Sequence, residues 1–250
     1  MAGYNATFAE FYDRLTDDVN YGKIADFCME TMKRRHPKCE LLLDLACGTG
    51  SLSAEFARRG HEVIAVDSSP EMLAEGMNKN TGFQTPILFL NQEMEELDLY
   101  GTVDLAVSAL DSVNHLEGRA AVGRMLSRLK FFIEPGGLFI FDVNTPYKHR
   151  EVLGDTVYVR EAPGVYCIWQ NEYHGEPEHC VDITMDFFAE KKDGSYRRGG
   201  EHFSEYAFPL DVWKTRLEEN GFSLLSAHSG YSDEAAGERD ERWVLVARRS

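Results

Sequence analysis

The sequence has few basic residues for its length. Its 250 residues include 26 lysines and arginines against 42 aspartates and glutamates, and the formal net charge is −16 at pH 7. A domain that binds nucleic acid needs a basic surface to contact phosphates and release counterions, and anionic membranes also attract basic surfaces. The charge balance therefore predicts that neither nucleic acid nor a membrane is a partner.

Long apolar runs and paired cysteines are also missing. No run approaches the ~20 apolar residues that a membrane-spanning helix needs, and residues 1–10 lack the basic and apolar blocks of a signal peptide. The five cysteines are odd in number and scattered, with no CxxC pair and no Cys/His cluster. Such spacing is typical of reduced thiols. We therefore expect a cytoplasmic protein without a metal site.

Between residues 41 and 143, short apolar runs alternate with stretches of helical periodicity. This alternation is typical of a parallel sheet covered by helices on both faces. Five strands are predicted, at Leu41–Leu45, Val63–Val66, Ile87–Leu90, Val103–Val107 and Leu138–Val143. Before them, two stretches with helical spacing predict two N-terminal helices joined by residues 16–20.

After the fifth strand the rhythm changes. Residues 181–187 alternate strictly between apolar and polar side chains, which predicts a half-buried strand. The Asp193-Gly194 pair predicts a hairpin turn, so that residues 150–208 should hold a small antiparallel sheet of about three strands. Beyond it we predict a helix capped by Asp211 and two last strands, at 222–227 and 243–247.

The most informative segment runs from Leu41 to Gly50, where a buried strand enters a glycine-rich turn and a helix begins near Ser51. Glycine lets a ligand approach the backbone, and a helix N-terminus offers free N–H groups. The next strand ends at Asp67, where a carboxylate can accept hydrogen bonds from ribose hydroxyls. The segment predicts a site for a nucleotide-like ligand.

Two classes of cofactor use such a turn. A dinucleotide site would have a third glycine where Ser53 stands, and the acid Asp44 just before the turn would repel a pyrophosphate. Asp44 suits instead a ligand with a cationic ammonium group and no phosphate. S-adenosylmethionine is such a ligand.

At this point the sequence resembles the class I S-adenosylmethionine-dependent methyltransferases of the small-molecule type. Five blocks match in order across residues 41–143, although Ala46 replaces the first glycine of the turn. The resemblance implies an α/β fold, with a doubly wound, Rossmann-like, seven-stranded mixed sheet whose last strand is antiparallel. Residues 1–149 and 209–250 would form the cofactor-binding domain, with 1–35 as an N-terminal helical cap. Residues 150–208 would be an antiparallel β insertion that roofs the site.

The resemblance also implies which residues hold the cofactor. Asp67 would bind the ribose, Glu93 and the backbone of Met94 would bind the adenine, and Met72 and Met94 would flank the ring or belong to the core. Leu110 would lie at the end of the fourth strand, beside the transferred methyl group. The full predicted set is Asp44, Ala46, Gly48, Gly50, Asp67, Ser68, Met72, Glu93, Met94 and Leu110.

Three residues are candidates for catalysis. His115 follows the fourth strand and could act as a general base, or it could cap the next helix or pack in its loop. Tyr12 and Tyr21 resemble tyrosines that close over the cofactor in related small-molecule enzymes. Tyr12 could equally join Phe8 on the core face of the first helix.

The resemblance implies methyl transfer by direct displacement to a nitrogen, or an oxygen, of a small molecule, with S-adenosylhomocysteine as product. Because residues 150–208 hold twelve acidic residues against six basic ones, we expect a neutral or cationic acceptor, and a monomer or homodimer. Three alternatives stay open: a nicotinamide-dependent oxidoreductase, a non-catalytic S-adenosylmethionine-binding module, and a methyltransferase directed at a protein.

Overall fold

A computed structural model describes residues 6–35, 39–83 and 86–250. Its eleven strands within these ranges are β1 (Leu41–Leu45), β2 (Glu62–Asp67), β3 (Leu88–Asn91), β4 (Val103–Ser108), β5 (Ile133–Asn144), β6 (Val157–Ala162), β7 (Val165–Tyr173), β8 (Cys180–Glu190), β9 (Tyr196–Tyr206), β10 (Phe222–Ser229) and β11 (Arg242–Arg249). The α-helices are α1 (Ala6–Leu15), α2 (Tyr21–Arg35), α3 (Ser51–Arg58), α4 (Pro70–Lys79), α5 (Gly118–Phe132) and α6 (Leu210–Glu219).

Seven strands form one mixed sheet in the order β10-β11-β5-β4-β1-β2-β3. Strand β11 pairs antiparallel with both of its neighbours, and the other pairs in the sheet are parallel. The strand order reverses at β1, whose two neighbours are β2 and β4. In such sheets, ligands bind beyond the carboxyl ends of the strands at the point of reversal. The predicted fold class is confirmed, together with each of the five apolar runs as a strand.

Both faces of this sheet are covered by apolar side chains. On one face, α5 and α6 pack through Met125, Leu126 and the fully buried Trp213. On the other face, α2 and α3 pack through Phe27 and Phe56. This two-sided burial explains why the central strands are apolar runs without alternation. It also fixes the strand ends that carry the polar residues described below.

The second sheet has four antiparallel strands in the order β6-β7-β8-β9. The prediction of about three strands in this region was wrong, because β6 is an edge strand whose Val157 and Val159 are exposed and give no core signal. The inward face of the sheet packs against Phe8, Phe11 and Leu15 of α1. The predicted turn at Asp193-Gly194 joins β8 to β9.

One other local prediction needs correction. Helix α6 has Pro209 at its N-cap, and Asp211 lies within the first turn, where its carboxylate accepts from the N–H of Val212 at 2.9 Å. The sequence also gave no indication of the π-helical segment Lys148–Leu153 that follows β5. This segment carries a buried histidine discussed below.

The division into a cofactor domain and an insertion stays a prediction. Residues 1–5 of the predicted N-terminal cap lie outside the described residues. Within the described ranges, no helix has the length and apolar character needed to cross a membrane.

Candidate active site

A cavity of about 260 Å³ lies where the carboxyl ends of β1, β2 and β4 meet the second sheet. Nine of the predicted site residues line it, namely Tyr12, Ala46, Gly48, Asp67, Ser68, Met72, Met94, Leu110 and His115. The opposite wall comes from β9, through residues that include Glu201, Phe203 and Tyr206. The main sheet and the second sheet therefore enclose one site together.

A smaller cavity of about 30 Å³ adjoins the first, because Tyr12, Ala46, Gly48, Leu110 and Ser112 line both. Tyr21 and Asp44 line this second space. Gly50 and Glu93 are among the lining residues of neither cavity. The structure thus brings eleven of the thirteen predicted residues to the two connected cavities.

The glycine-rich turn adopts a left-handed backbone conformation at every second residue. Ala46, Gly48 and Gly50 have φ values of 60°, 54° and 69°. At Gly50 a side chain is also excluded by space, since a Cβ there would lie 2.9 Å from Asn80 Nδ2 and 3.0 Å from the Phe89 ring. Gly50 therefore supports the turn from behind and does not face the cavity.

Asp67 joins this turn to the next strand. Its two carboxylate oxygens accept from the backbone N–H groups of Gly48 and Ser69, both at 2.8 Å. Burial raises the pKa of Asp67, and the two backbone donors oppose that rise. Each oxygen keeps a further lone pair for a ligand.

Asp44 is buried beneath the turn, where it is only 2% exposed. The Ser53 hydroxyl donates to its carboxylate at 2.5 Å. Burial raises the pKa of Asp44 to about 7, although the Ser53 hydrogen bond acts in the opposite direction. Among the described residues, no lysine or arginine forms an ion pair with Asp44 or Asp67. Both positions therefore suit the ammonium and hydroxyl groups of a cofactor.

Helix α1 is held over the turn by polar contacts that the sequence did not reveal. Asp13 accepts from the Thr49 hydroxyl at 2.6 Å and forms an ion pair with Lys79. Tyr12, one residue earlier, packs edge-on against Phe8 and also lines both cavities. Both interpretations of Tyr12, as a site residue and as a neighbour of the apolar stripe, therefore describe its position. Burial holds the pKa of Tyr12 well above its ordinary value.

The segment after β4 depends on a partly buried ionic network. Leu110 and Asp111 have positive φ values of 58° and 55°, and their N–H groups donate to the two carboxylate oxygens of Asp142 at 2.8 and 2.7 Å. The Arg242 guanidinium bridges Asp111 and Asp142. Burial favours the neutral form of Asp111, yet Arg242 lowers the pKa of this carboxyl below its ordinary value. Sequence reasoning missed this network, because its members are far apart in the chain.

His115 lies in the 3-10 segment Ser112–His115, and its side chain is 14% exposed toward the cavity. Its Nε2 atom is 3.9 Å from a carboxylate oxygen of Glu205 on β9. Its ring lies 4.8 Å from the ring of Phe203 on the same strand. Glu205 was missed as a site residue. Its signal was an acid in register with Val181, which belongs to the apolar face of β8.

No cluster of metal-ligating side chains occurs within the residues that the structure describes. The polar groups that do converge suit an organic cofactor with a cation at one end. Asp44, which accepts from Ser53, lies at the small cavity, Asp67 lies at the large one, and Met72 and Met94 offer apolar contact there. The residues present therefore fit S-adenosylmethionine.

Comparison with known proteins gives the same result. A family model described as a methyltransferase domain matches residues 42–137. The chain is 31% identical over 244 residues to a protein of Geobacillus sp. (strain WCH70) and 31% identical over 244 residues to YqeM of Bacillus subtilis (strain 168), both named as methyltransferases. These matches cover 97% of this chain, and 98% and 96% of the two relatives.

A third relative, from Streptomyces fradiae, is named dTDP-3-amino-3,6-dideoxy-alpha-D-glucopyranose N,N-dimethyltransferase. It is 30% identical over 149 residues, covering 57% of this chain and 55% of the relative. Among solved structures, an S-adenosylmethionine-dependent methyltransferase from Clostridium acetobutylicum ATCC 824 superimposes with a TM-score of 0.88 at 27% identity, over 98% of both chains. The sugar N-methyltransferase KedS8 from Streptoalloteichus sp. ATCC 53650 shares the fold, with a TM-score of 0.76 at 20% identity, over 100% of this chain and 95% of that one. The chain therefore belongs to the class I S-adenosylmethionine-dependent methyltransferases, enzymes that use this cofactor as methyl donor.

Proposed function

We propose that this methyltransferase transfers the methyl group to a nitrogen of a small neutral or cationic amine. One observation carries the proposal. The charged residues of the cavity wall are the acids Asp67, Glu117 and Glu201, and among the described lining residues there is no lysine or arginine. An acceptor with a phosphate or carboxylate would need a cationic partner to replace its lost water. An amine needs none.

The names of several relatives support nitrogen as the acceptor atom. The Streptomyces fradiae relative is named as a dimethyltransferase of an amino sugar. That relative's nucleotide diphosphate has no matching cationic partner in the cavity of this chain. We therefore propose an amine acceptor without the nucleotide.

For the cofactor we propose a position along the two cavities. Asp44 would hold the ammonium, Asp67 the ribose hydroxyls, and Glu93 with the Met94 backbone the adenine edge. The turn residues would lie along the amino-acid end and the sulfur. The proposed cofactor contacts are Asp44, Ala46, Gly48, Asp67, Ser68, Met72, Glu93, Met94 and Leu110, with Gly50 supporting the turn.

The reaction proposed is a direct displacement at the methyl carbon. The amine lone pair forms the new N–C bond as the C–S bond breaks, and sulfur keeps the electron pair as a neutral thioether. The protein aligns the two partners and excludes water. The amine also loses one proton, and we propose His115 as its acceptor. Tyr12 and Tyr21 would close the cofactor end of the site through contacts with the cationic sulfur.

We further propose that residues 150–208 act as a roof that determines which acceptor enters. Strand β9 supplies the cavity wall, and that strand belongs to this segment. The five cysteines are free thiols, which supports a cytoplasmic location.

Matched pairs of acceptors would test whether a negative charge on the acceptor prevents methyl transfer. With labelled S-adenosylmethionine as donor, we expect transfer to glucosamine, putrescine or benzylamine, and much less to glucosamine 6-phosphate or benzyl alcohol. Comparing glucosamine with glucosamine 6-phosphate tests the effect of the acceptor's charge. Comparing benzylamine with benzyl alcohol tests whether nitrogen is preferred to oxygen. Faster transfer to glucosamine 6-phosphate than to glucosamine would contradict the proposed acceptor class. Thermal shifts with S-adenosylmethionine, S-adenosylhomocysteine and NAD would test the cofactor independently.

The role of His115 has its own test. The His115→Ala variant should lose about 100-fold or more in turnover, in the range typical of a general base, while its affinity for S-adenosylmethionine stays nearly unchanged. His61→Ala, which changes a histidine outside the cavity, is the matched control. Wild-type turnover in His115→Ala would remove the residue from the mechanism.

A further inference from the structure

A buried glutamate on β9 lies between two histidines from different parts of the chain. Glu205 is 3% exposed. One of its oxygens, Oε1, is 3.9 Å from Nε2 of His115, and the other, Oε2, is 3.4 Å from Nε2 of His149. His149 belongs to the π-helical segment after β5 and is fully buried. Only His115 reaches the cavity.

The hydrogen-bond pattern of His149 determines what faces the glutamate. Its Nδ1 atom is 2.6 Å from the backbone carbonyl oxygen of His179, and because a carbonyl only accepts, Nδ1 must carry a hydrogen. The Nε2 atom of the same ring therefore faces Oε2 of Glu205, so this oxygen is directed at His149 and not at His115.

Amide side chains fix the glutamate from the opposite side. The side-chain amide of Asn144 donates to Oε2 of Glu205 at 2.9 Å, and its side-chain oxygen Oδ1 accepts from Lys148 at 2.9 Å. Asn114 binds the backbone of Asn144 through two hydrogen bonds and donates to the carbonyl oxygen of Tyr206. These contacts use Oε2 and leave Oε1 directed at His115. The carboxylate is thus placed with little freedom to move.

We propose that Glu205 is the positioning residue for His115 in methyl transfer, an inference that rests on the proposed function. Its carboxylate keeps the hydrogen of the neutral His115 ring on Nε2, so the lone pair that accepts the amine proton is on Nδ1. When that proton arrives, the positive ring faces a negative carboxylate. The 3.9 Å separation is an electrostatic contact that shortens to a hydrogen bond as the ring becomes charged.

The second sheet would then take a direct part in the reaction. His115 follows a strand of the main sheet, whereas Glu205 belongs to the second sheet. The pair forms only when β9 is docked, as it is here. Docking of the second sheet over the site therefore completes the base as well as the cavity.

The alternative is that Glu205 only ties β9 to the core, and Glu205→Gln separates the two roles. Glutamine keeps the volume and one oxygen that can accept from Asn144, but it replaces the other oxygen with an amide N–H₂ and removes the charge. With the amine of the panel above that gives the highest turnover, kcat should fall at least about tenfold, and KM for both substrates should stay within about twofold. Glu172→Gln makes the same change on an exposed residue of β7, in the same sheet, and should match the wild type.

A double variant tests whether Glu205 acts through His115. In the His115→Ala background, Glu205→Gln should lower kcat by less than about twofold, because the ring it positions is gone. Glu205→Asp should recover part of the rate. Equal losses in both backgrounds, or an unchanged kcat in Glu205→Gln, would overturn the positioning role.

Different results would overturn the role of His115 as base and the role of Glu205 as positioning residue. If His115→Ala is fully active, the base is wrong and the role of Glu205 falls with it. If His115→Ala loses turnover while Glu205→Gln does not, only the positioning role is wrong. If no amine is methylated by the wild type, both proposals are overturned.

Discussion

Removing the buried charge of Asp44 should stabilise the protein and weaken its cofactor binding. The carboxylate lies under the glycine-rich turn, with the Ser53 hydroxyl as donor and no cationic partner among the described residues. Asp44→Asn keeps an oxygen that can accept from Ser53. The substitution therefore removes the charge and keeps the shape.

The size of the stability effect follows from the pKa of Asp44. Burial raises it from 3.8 to about 7, and a shift of that size corresponds to about 4 kcal/mol at ~1.4 kcal/mol per unit. Because the native pKa is raised, the stabilising contribution of this group is complete below pH 3.8. It is lost as the pH rises toward about 7. At about pH 8, Asp44→Asn should therefore exceed the wild type by up to about 4 kcal/mol in free energy of unfolding.

Cofactor affinity should change in the opposite direction. If Asp44 holds the ammonium of S-adenosylmethionine, the variant loses a charge-assisted hydrogen bond of ~1.5–3 kcal/mol, which is about ten- to 100-fold in Kd. Wild-type affinity should also increase with pH up to about 7, as the carboxyl ionises, while that of Asp44→Asn stays flat.

Urea unfolding without ligand and calorimetric titration with S-adenosylmethionine, both followed from about pH 5 to about pH 8, measure the two effects. Asp17→Asn, which changes an exposed acid in the loop between α1 and α2, is the control. A variant less stable than the wild type at about pH 8, or one that binds the cofactor equally well, would refute the reasoning.

Three further outcomes are expected. Asp67→Ala should weaken S-adenosylmethionine binding at least about tenfold in calorimetry, and unchanged affinity would contradict a ribose contact. Gly50→Ala should lower the free energy of unfolding by about 1–3 kcal/mol, because its φ is +69° and a Cβ would meet Asn80 at 2.9 Å; the matched change Gly123→Ala, in open space on α5, should not. Arg242→Leu should lower the free energy of unfolding in urea by about 3–5 kcal/mol, because Asp111 and Asp142 would lose their cationic partner. A loss below about 1 kcal/mol would contradict that account.

The main sheet could be predicted because each of its strands has a local signal. Residues 41–45 and 103–107 are mostly apolar and buried, and α3 and α4 between them carry buried apolar residues. The edge strand β6 had no such signal, because its valines face outward. The π-helical segment after β5 was missed because four of its six residues are polar or charged and form no apolar stripe.

The site could be predicted only where the chemistry is contiguous in the chain. Asp44, Gly48 and Asp67 lie on two successive strand ends, so their approach follows from the topology. Glu205 and Arg242 reach the site from segments roughly 90 to 130 residues after the strand ends they support. Their pairing depends on how β9 and β11 dock, which composition and periodicity do not determine.

The acidic residues at the carboxyl edge of the main sheet form two groups, one with a cationic partner and one without. Asp111 and Asp142 share the cation Arg242, and their role is to hold a strained backbone. Asp44 and Asp67 are buried as well, yet hydroxyl and backbone donors are their partners among the described residues. A buried acid without a cation destabilises the fold unless a ligand completes it. The two acids that lack a cation line the cavities, so the proposed cofactor would supply an ammonium group to Asp44 and hydroxyl donors to Asp67.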